Sequence, residues 1–326
     1  MNFDIKRTGR VILHVTDLGA SRKFYDSLGF IETESDDENI FYRAIEDHNH
    51  HCLWLKKKPE AAVEVISYRM NGEEDLDRIA EFFKGKGKAV KWMEKGVQKG
   101  IGRALRVNDV SGIPTEYYVE MDKAERMLQR FDLHVGGKVQ RIDHFNIAVP
   151  DVQKAYDYYT GGLGFRCAEY TTTRDRDVWA AWLHRKPGVH DAAFMNSAGP
   201  RLHHIGFWLK DPMGIIDCCD YLAAKGYAGS IERGPGRHGL SNAFFLYLRD
   251  PDGHRIELYN GDYYTGDSDF EPIEWDLDNP QRQTFWGHAA PPCWFEEASD
   301  FLDVHTGEKI PLEEPLLEKK KPDTII

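Results

Sequence analysis

The feature that most constrains this chain is that it repeats itself. Residues 10–31, RVILHVTDLGASRKFYDSLGFI, and residues 144–166, HFNIAVPDVQKAYDYYTGGLGFR, share a strand-like run, a turn containing Asp, an amphipathic aromatic stretch and a closing Leu-Gly-Phe. A second pair, GEEDLDRIAEFFKGKGK at 72–88 and MGIIDCCDYLAAKGY at 213–227, has helix-period apolar residues ending in a Gly after Lys, as helix C-termini prefer. A third, LRVNDVSGIPTEYYVEMD at 105–122 and LYLRDPDGHRIELYNGD at 246–262, reads strand, Asp-x-x-Gly turn, strand. Each half therefore reads strand, helix, several strands, and then the same again. The expected fold is α+β: four tandem βαβββ modules bordered near residues 8, 61, 141 and 201, with a linker around 131–140. Two similar domains with open β-barrels follow, an N-terminal one over 1–135 and a C-terminal one over 136–262. Residues 263–326 break the pattern. Their aromatic part, with Trp275, Trp286 and Trp294, is expected to form a flap on the second half, and the charged end EEPLLEKKKPDTII to be mobile.

Composition removes several classes of function. No run of about 18 apolar residues could span a bilayer, and the start MNFDIKRTGRVILHV lacks the apolar core and cleavage site of a signal peptide, so a cytoplasmic address is expected. Five cysteines without a CxxC pair argue against a disulfide framework and against cysteine-bound zinc. A net charge of −12 is wrong for a general binder of nucleic-acid backbones. Fourteen histidines point to metal ligation or acid–base work.

The repeat permits the two halves to be compared position by position, and differences then mark chemistry. His144 aligns with Arg10, His204 with Val65, and Glu257 with Glu116, so only the second half has two imidazoles and a carboxylate. A lone histidine in a strand is ordinarily a packed or surface residue. Three candidate ligands on equivalent strands are harder to attribute to packing. Two histidines and one carboxylate on one face leave half an octahedron free, the facial triad of iron(II) enzymes that take substrate and O₂ together, with zinc the competing ion. Strand alternation lets only one of His203 and His204 face the cavity; position 203 aligns with the polar Asp143 and Glu64, suited to an outer face, so His204 is the expected ligand.

On these residues the chain resembles the type I extradiol ring-cleavage dioxygenases of the vicinal oxygen chelate superfamily. Gly236–Glu257, GRHGLSNAFFLYLRDPDGHRIE, is similar to their signature of Gly and His, an apolar–Tyr pair, an acidic–Pro–x–Gly turn and the ligand Glu. RIDHFNIAVPDV, AAWLHRK, VHDAA, GPRLHHI, IERGPGRHG and DYYTGD resemble most the homoprotocatechuate (3,4-dihydroxyphenylacetate) 2,3-dioxygenases. The resemblance implies cleavage of a catechol by O₂ to a muconic semialdehyde in aromatic catabolism, with Fe²⁺ or alternatively Mn²⁺ as cofactor, in a homotetramer. It implies that His190 is the acid–base group beside the O₂ site, that Tyr247 hydrogen-bonds the substrate, and that His238 and Asn146 complete the polar lining. Trp182 would be an apolar wall, and Arg233 would pair with the substrate's side-chain carboxylate. One departure stands out: where a second arginine is expected in a DNxQRR-like stretch, DNPQRQ has Gln283, preceded by Arg282. Either Arg233 and His238 suffice, Arg282 reaches in, or the catechol differs. A glyoxalase-like metal-dependent lyase and a metal-free binding protein on the same fold are the alternatives.

Overall fold

Residues rich in β-branched and apolar side chains form the strands, and an aspartate before each of three helices sets where the chain turns. The computed structural model describes residues 2–318. The first half runs β1 (Ile5–Val15), α1 (Leu18–Leu28), β2 (Ile31–Ser35), β3 (Asn39–Arg43), β4 (Leu53–Lys57), then β5 (Ala62–Met70), α2 (Glu73–Gly85), β6 (Lys91–Met93), β7 (Ala104–Asn108) and β8 (Pro114–Tyr118). The second half runs β9 (Arg141–Val149), α3 (Val152–Asp157), β10 (Arg166–Thr172), β11 (Val178–His184), β12 (Ala192–Asn196), then β13 (Arg201–Trp208), α4 (Pro212–Ala224), β14 (Ile231–Arg237), β15 (Phe244–Arg249) and β16 (Arg255–Asn260). These are the four βαβββ units expected from the repeat.

The same local chemistry recurs in both halves. Asp17 accepts from the Gly19 and Ala20 amides to start α1, and Asp151 accepts from Lys154 N to start α3. The Asp-x-x-Gly turns repeat too: Asp109 Oδ1 takes the Ser111 and Ile113 amides, and Asp250 Oδ1 takes those of Asp252 and His254. Gly29 closes α1 at φ 89°, where a Cβ would fall 2.1 Å from the Val135 carbonyl oxygen, so this position accepts only glycine.

The strand orders match as well. The first sheet runs β2-β3-β4-β1-β5-β8-β7-β6, and the second runs β10-β11-β12-β9-β13-β16-β15-β14. In both, the first strands of the two units lie side by side at the middle of an open sheet. The halves join through one continuous apolar core, with Phe30 edge-on to Phe207 at 4.7 Å and Tyr68 edge-on to Phe145. Buried aromatics of this kind contribute roughly 1.5–3 kcal/mol each.

The remaining chain lies mainly on the second sheet. Here β17 (Ile273–Asp276) adds parallel to β10, α5 (Pro280–Gln283) and α6 (Pro292–Glu296) follow, and β18 (Ser299–Asp300) pairs with β13. Of the charged end expected to be mobile, Leu316 N donates to the Pro150 carbonyl and Asn196 Nδ2 to the Leu317 carbonyl. Residues 319–326 lie outside the described residues. Among the described residues no helix is long and apolar enough to cross a membrane.

Candidate metal centre

Register alone brings the three candidate ligands together. Gly206 on β13 pairs with His144 on β9 at one side and with Glu257 on β16 at the other, and His204 lies two residues along the same face. The first half has the same register, with Ser67 opposite Glu116 and Val11 opposite Ile66, so Arg10, Val65 and Glu116 hold the positions of His144, His204 and Glu257.

His144 Nε2 lies 2.9 Å from Glu257 Oε2 and 3.3 Å from His204 Nε2, and His204 Nε2 is 3.2 Å from the same carboxylate oxygen. All three side chains are buried. The two imidazoles hold the Glu257 carboxyl well below the usual range even though burial opposes this. Burial is also the main reason the His204 imidazole is pushed down to about 4, so it is neutral and able to ligate near pH 7.

The far nitrogens of both histidines are tied down. His144 Nδ1 donates to Asp143 Oδ2 at 3.1 Å, and Asp143 also takes the Tyr259 hydroxyl and faces Lys186 Nζ at 3.3 Å. His204 Nδ1 lies 2.8 Å from His203 Nδ1, whose Nε2 lies 2.8 Å from the Trp294 carbonyl oxygen. If the carbonyl takes the His203 Nε2 proton, His203 Nδ1 must accept, His204 Nδ1 must carry a proton, and His204 Nε2 is left with a lone pair for an ion.

This corrects the outer-face assignment of Asp143 and His203. Both are buried, at 1% and 2% exposure, because the C-terminal segment and residues 186–191 cover that face. Both orient ligands.

Sequence reasoning also missed Gly206. A Cβ there would fall 2.0 Å from His144 Cε1, so only glycine lets this imidazole lie across β13. A glycine two residues beyond His204, inside an otherwise apolar strand, was the available signal.

The cavity over the triad is lined by His190, Asn146, Tyr247, His238, Trp182 and Arg282, together with Trp179, Leu240 and Gln283. His190 packs on His144 with ring centroids 3.8 Å apart, and burial holds its imidazole neutral, well below its usual pKa. Two buried polar atoms in this lining, His190 Nδ1 and Asn146 Oδ1, have no hydrogen-bond partner among the described residues. Such atoms cost about 1–3 kcal/mol each when left unsatisfied, which fits a site built around a ligand. Tyr247 Oη donates to His238 Nε2 at 2.9 Å while His238 Nδ1 donates to the Gln283 carbonyl, and burial lowers the His238 pKa to about 3.

Arg233, the expected carboxylate partner, lies beside this cavity, with its guanidinium 5.9 Å from the ring centre of the lining residue Tyr247. It is buried outside the lining, stacked on Phe245 and Trp294, with Nη2 donating to Thr284 Oγ1 at 2.7 Å and to the Gln283 carbonyl. It fixes the segment that presents Arg282 and Gln283 to the cavity.

Residues 141–258 match the Glyoxalase/Bleomycin resistance protein/Dioxygenase superfamily. The chain is 35% identical to a manganese-dependent 2,3-dihydroxybiphenyl 1,2-dioxygenase of Geobacillus genomosp. 3, over 88% of this chain and 95% of that one. It is similar to the crystal structure of homoprotocatechuate 2,3-dioxygenase from Arthrobacter globiformis, with TM-score 0.92 and 44% identity over 95% of this chain and 96% of that one. The anaerobic 3,4-dihydroxyphenylacetate complex of the Brevibacterium fuscum enzyme matches with TM-score 0.92 and 42% identity, over 95% and 97%.

Proposed function

Because the chain belongs to the extradiol ring-cleaving dioxygenases of the glyoxalase/bleomycin resistance protein/dioxygenase superfamily, we propose that its substrate is 3,4-dihydroxyphenylacetate or a close relative carrying a carboxylate. The cofactor is a divalent iron or manganese ion, and the observation that carries the reading is the convergence of His144 Nε2, His204 Nε2 and Glu257 Oε2 within 3.3 Å under this cavity. We favour iron(II).

An ion held by these three residues supplies the redox-active Lewis acid that allows a catechol and O₂ to react. The protein's own groups do the rest. Asp143 and His203 fix the ligand imidazoles, so the site is formed before substrate arrives. Tyr247 donates its hydroxyl hydrogen to His238 Nε2, which leaves the tyrosine oxygen's lone pairs able to accept a hydrogen bond from a substrate hydroxyl. His190, neutral and buried with Nδ1 without a hydrogen-bond partner among the described residues, takes or gives a proton at the reacting face. Trp179, Trp182 and Leu240 exclude water from the ring. Arg282, at the cavity wall, meets the side-chain carboxylate, and Arg233 acts on that contact through residues 283–284.

The domain division near residue 135, a homotetrameric assembly and a cytoplasmic address belong to the same reading. Leu128, Phe131 and Met213 are exposed and line one groove between the linker and α4, which supports self-association, and sedimentation analysis tests it.

The deciding experiment is anaerobic reconstitution with Fe(II) or Mn(II), followed by oxygen uptake and yellowing on 3,4-dihydroxyphenylacetate and on 4-methylcatechol. Arg282→Ala is expected to raise KM for the carboxylated substrate by roughly 10–100-fold and to leave 4-methylcatechol nearly unaffected. Equal effects on both would remove Arg282 from carboxylate recognition.

A further inference from the structure

Glu169 is a buried carboxylate that the ring-cleavage chemistry leaves unused. It sits on β10 with no exposed surface and collects three donors from two separate segments. Ser241 N reaches Oε1 at 2.8 Å, the Tyr263 hydroxyl reaches the same oxygen, and Trp275 Nε1 reaches Oε2 at 3.0 Å.

One of those donors, Ser241, stands in the cavity wall, and the other two, Tyr263 and Trp275, pack behind it against the apolar cluster that holds Leu240. Leu240 and Ser241 line the cavity, and Leu240 shares an apolar cluster with Trp179, Trp182 and Trp275. Gly239 N donates to the Arg282 carbonyl at 3.1 Å, so the turn at 240–242 is tied to the segment bearing Arg282. Ser241 and Asn242 have φ of 52° and 54°, left-handed values that residues with a Cβ hold only when the surroundings impose them. The Ser241 amide is anchored by Glu169 itself. Burial pushes the Glu169 carboxyl up to about 7 against the three hydrogen bonds, so a buried carboxylate is held here at a cost.

We propose that Glu169 is a positioning residue that sets the fit of the catechol's ring substituent, by clamping the 240–242 turn and the Tyr263–Trp275 segment against β10. The inference rests on the catechol reading of the cavity. It is separable from the metal, because β10 lies beyond β12 and β11 from the ligand strand β9.

The test uses the metal-loaded enzyme at pH 8, where the carboxylate is ionised, with 3,4-dihydroxyphenylacetate and 4-methylcatechol. In Glu169→Gln the amide N–H₂ must oppose a donor, either Trp275 Nε1–H or the Ser241 amide. KM for 3,4-dihydroxyphenylacetate is expected to rise roughly 10-fold, with kcat within about threefold and metal content unchanged. Trp275→Phe and Tyr263→Phe each delete one donor and should raise KM about threefold, which keeps the test alive if Glu169→Gln does not fold. A purely structural Glu169 would lower the melting temperature and leave KM where it was. Unchanged KM in the folded variants of an active enzyme overturns the clamp alone. A wild-type enzyme that cleaves neither catechol overturns the clamp and the catechol reading together.

Discussion

Gly206→Ala is the sharpest perturbation of the metal centre, because it changes no ligand. The new Cβ would lie 2.0 Å from His144 Cε1, and ordinary contact begins near 3.4 Å, so the ring must retreat by about 3.4 − 2.0 = 1.4 Å. Metal–ligand bonds tolerate about 0.2 Å. His144 Nε2 cannot then share an ion with His204 and Glu257, from which it now lies 3.3 and 2.9 Å. Loss of a whole ligand should cost more than loss of an orienting partner, so metal affinity is expected to fall by at least ~100-fold. The fold should survive, with an overpacking penalty of about 1–3 kcal/mol, since Ser67 carries a Cβ at the equivalent place in the first half. Titration of the apoprotein with Mn(II), alongside a thermal melt, reads both quantities. A folded Gly206→Ala protein that binds one ion per chain within threefold of wild-type affinity would refute the steric argument.

Arg10→Met should destabilise the chain by about 3–5 kcal/mol in urea melts and leave metal content intact; a loss under ~1 kcal/mol would count against it. It strips Glu116 of a guanidinium at 2.6 Å in a pair with no exposed surface. His190→Asn should retain the ion yet slow ring cleavage by roughly 10²–10⁴-fold in oxygen-uptake assays, and metal loss instead would assign His190 a ligand-supporting role. Acid lability follows from Glu116 and Glu232, whose pKa values fall to about 2 because their arginines outweigh burial. Both folded values lie below the unfolded one, so their contribution is complete above about pH 4.5 and is lost as pH falls towards 2. Urea midpoints between pH 6 and 3 should drop more steeply for wild type than for Glu116→Gln.

The fold was legible because each local signal occurs twice. Asp17 and Asp151 cap equivalent helices, and Asp109 and Asp250 make equivalent turns, so an ambiguous run in one half is read from the other. The triad was legible because the halves differ there. What stayed hidden depends on residues 263–318, which have no counterpart in the repeat. Nothing in the sequence placed Trp294 over His203, and so a buried orienting histidine read as an outer-face one. Alternation gives no direction for the Arg233 side chain either, because the β14–β15 register shifts on both sides of it.

The two halves solve one electrostatic problem in two ways. Each keeps a glutamate with almost no exposed surface at the same register position, Glu116 and Glu257, and a buried carboxylate needs a counter-charge. In the first half the counter-charge is covalent. Arg10 stands at the position of His144 and places its guanidinium 2.6 Å from Glu116, Arg106 adds a second at 2.8 Å, and Gln98, Ser67 and His51 complete the network. His51 is held neutral by burial and by Arg10, so it accepts rather than adds charge. In the second half the carboxylate faces two imidazoles, and a divalent ion supplies what the arginine supplies in the first. A guanidinium saturated by its own protein has no coordination positions for a catechol and O₂, whereas an ion held by three residues on one face would leave room for them. Arg10 against His144, Val65 against His204 and Ser67 against Gly206 therefore separate a half that stabilises from a half that reacts.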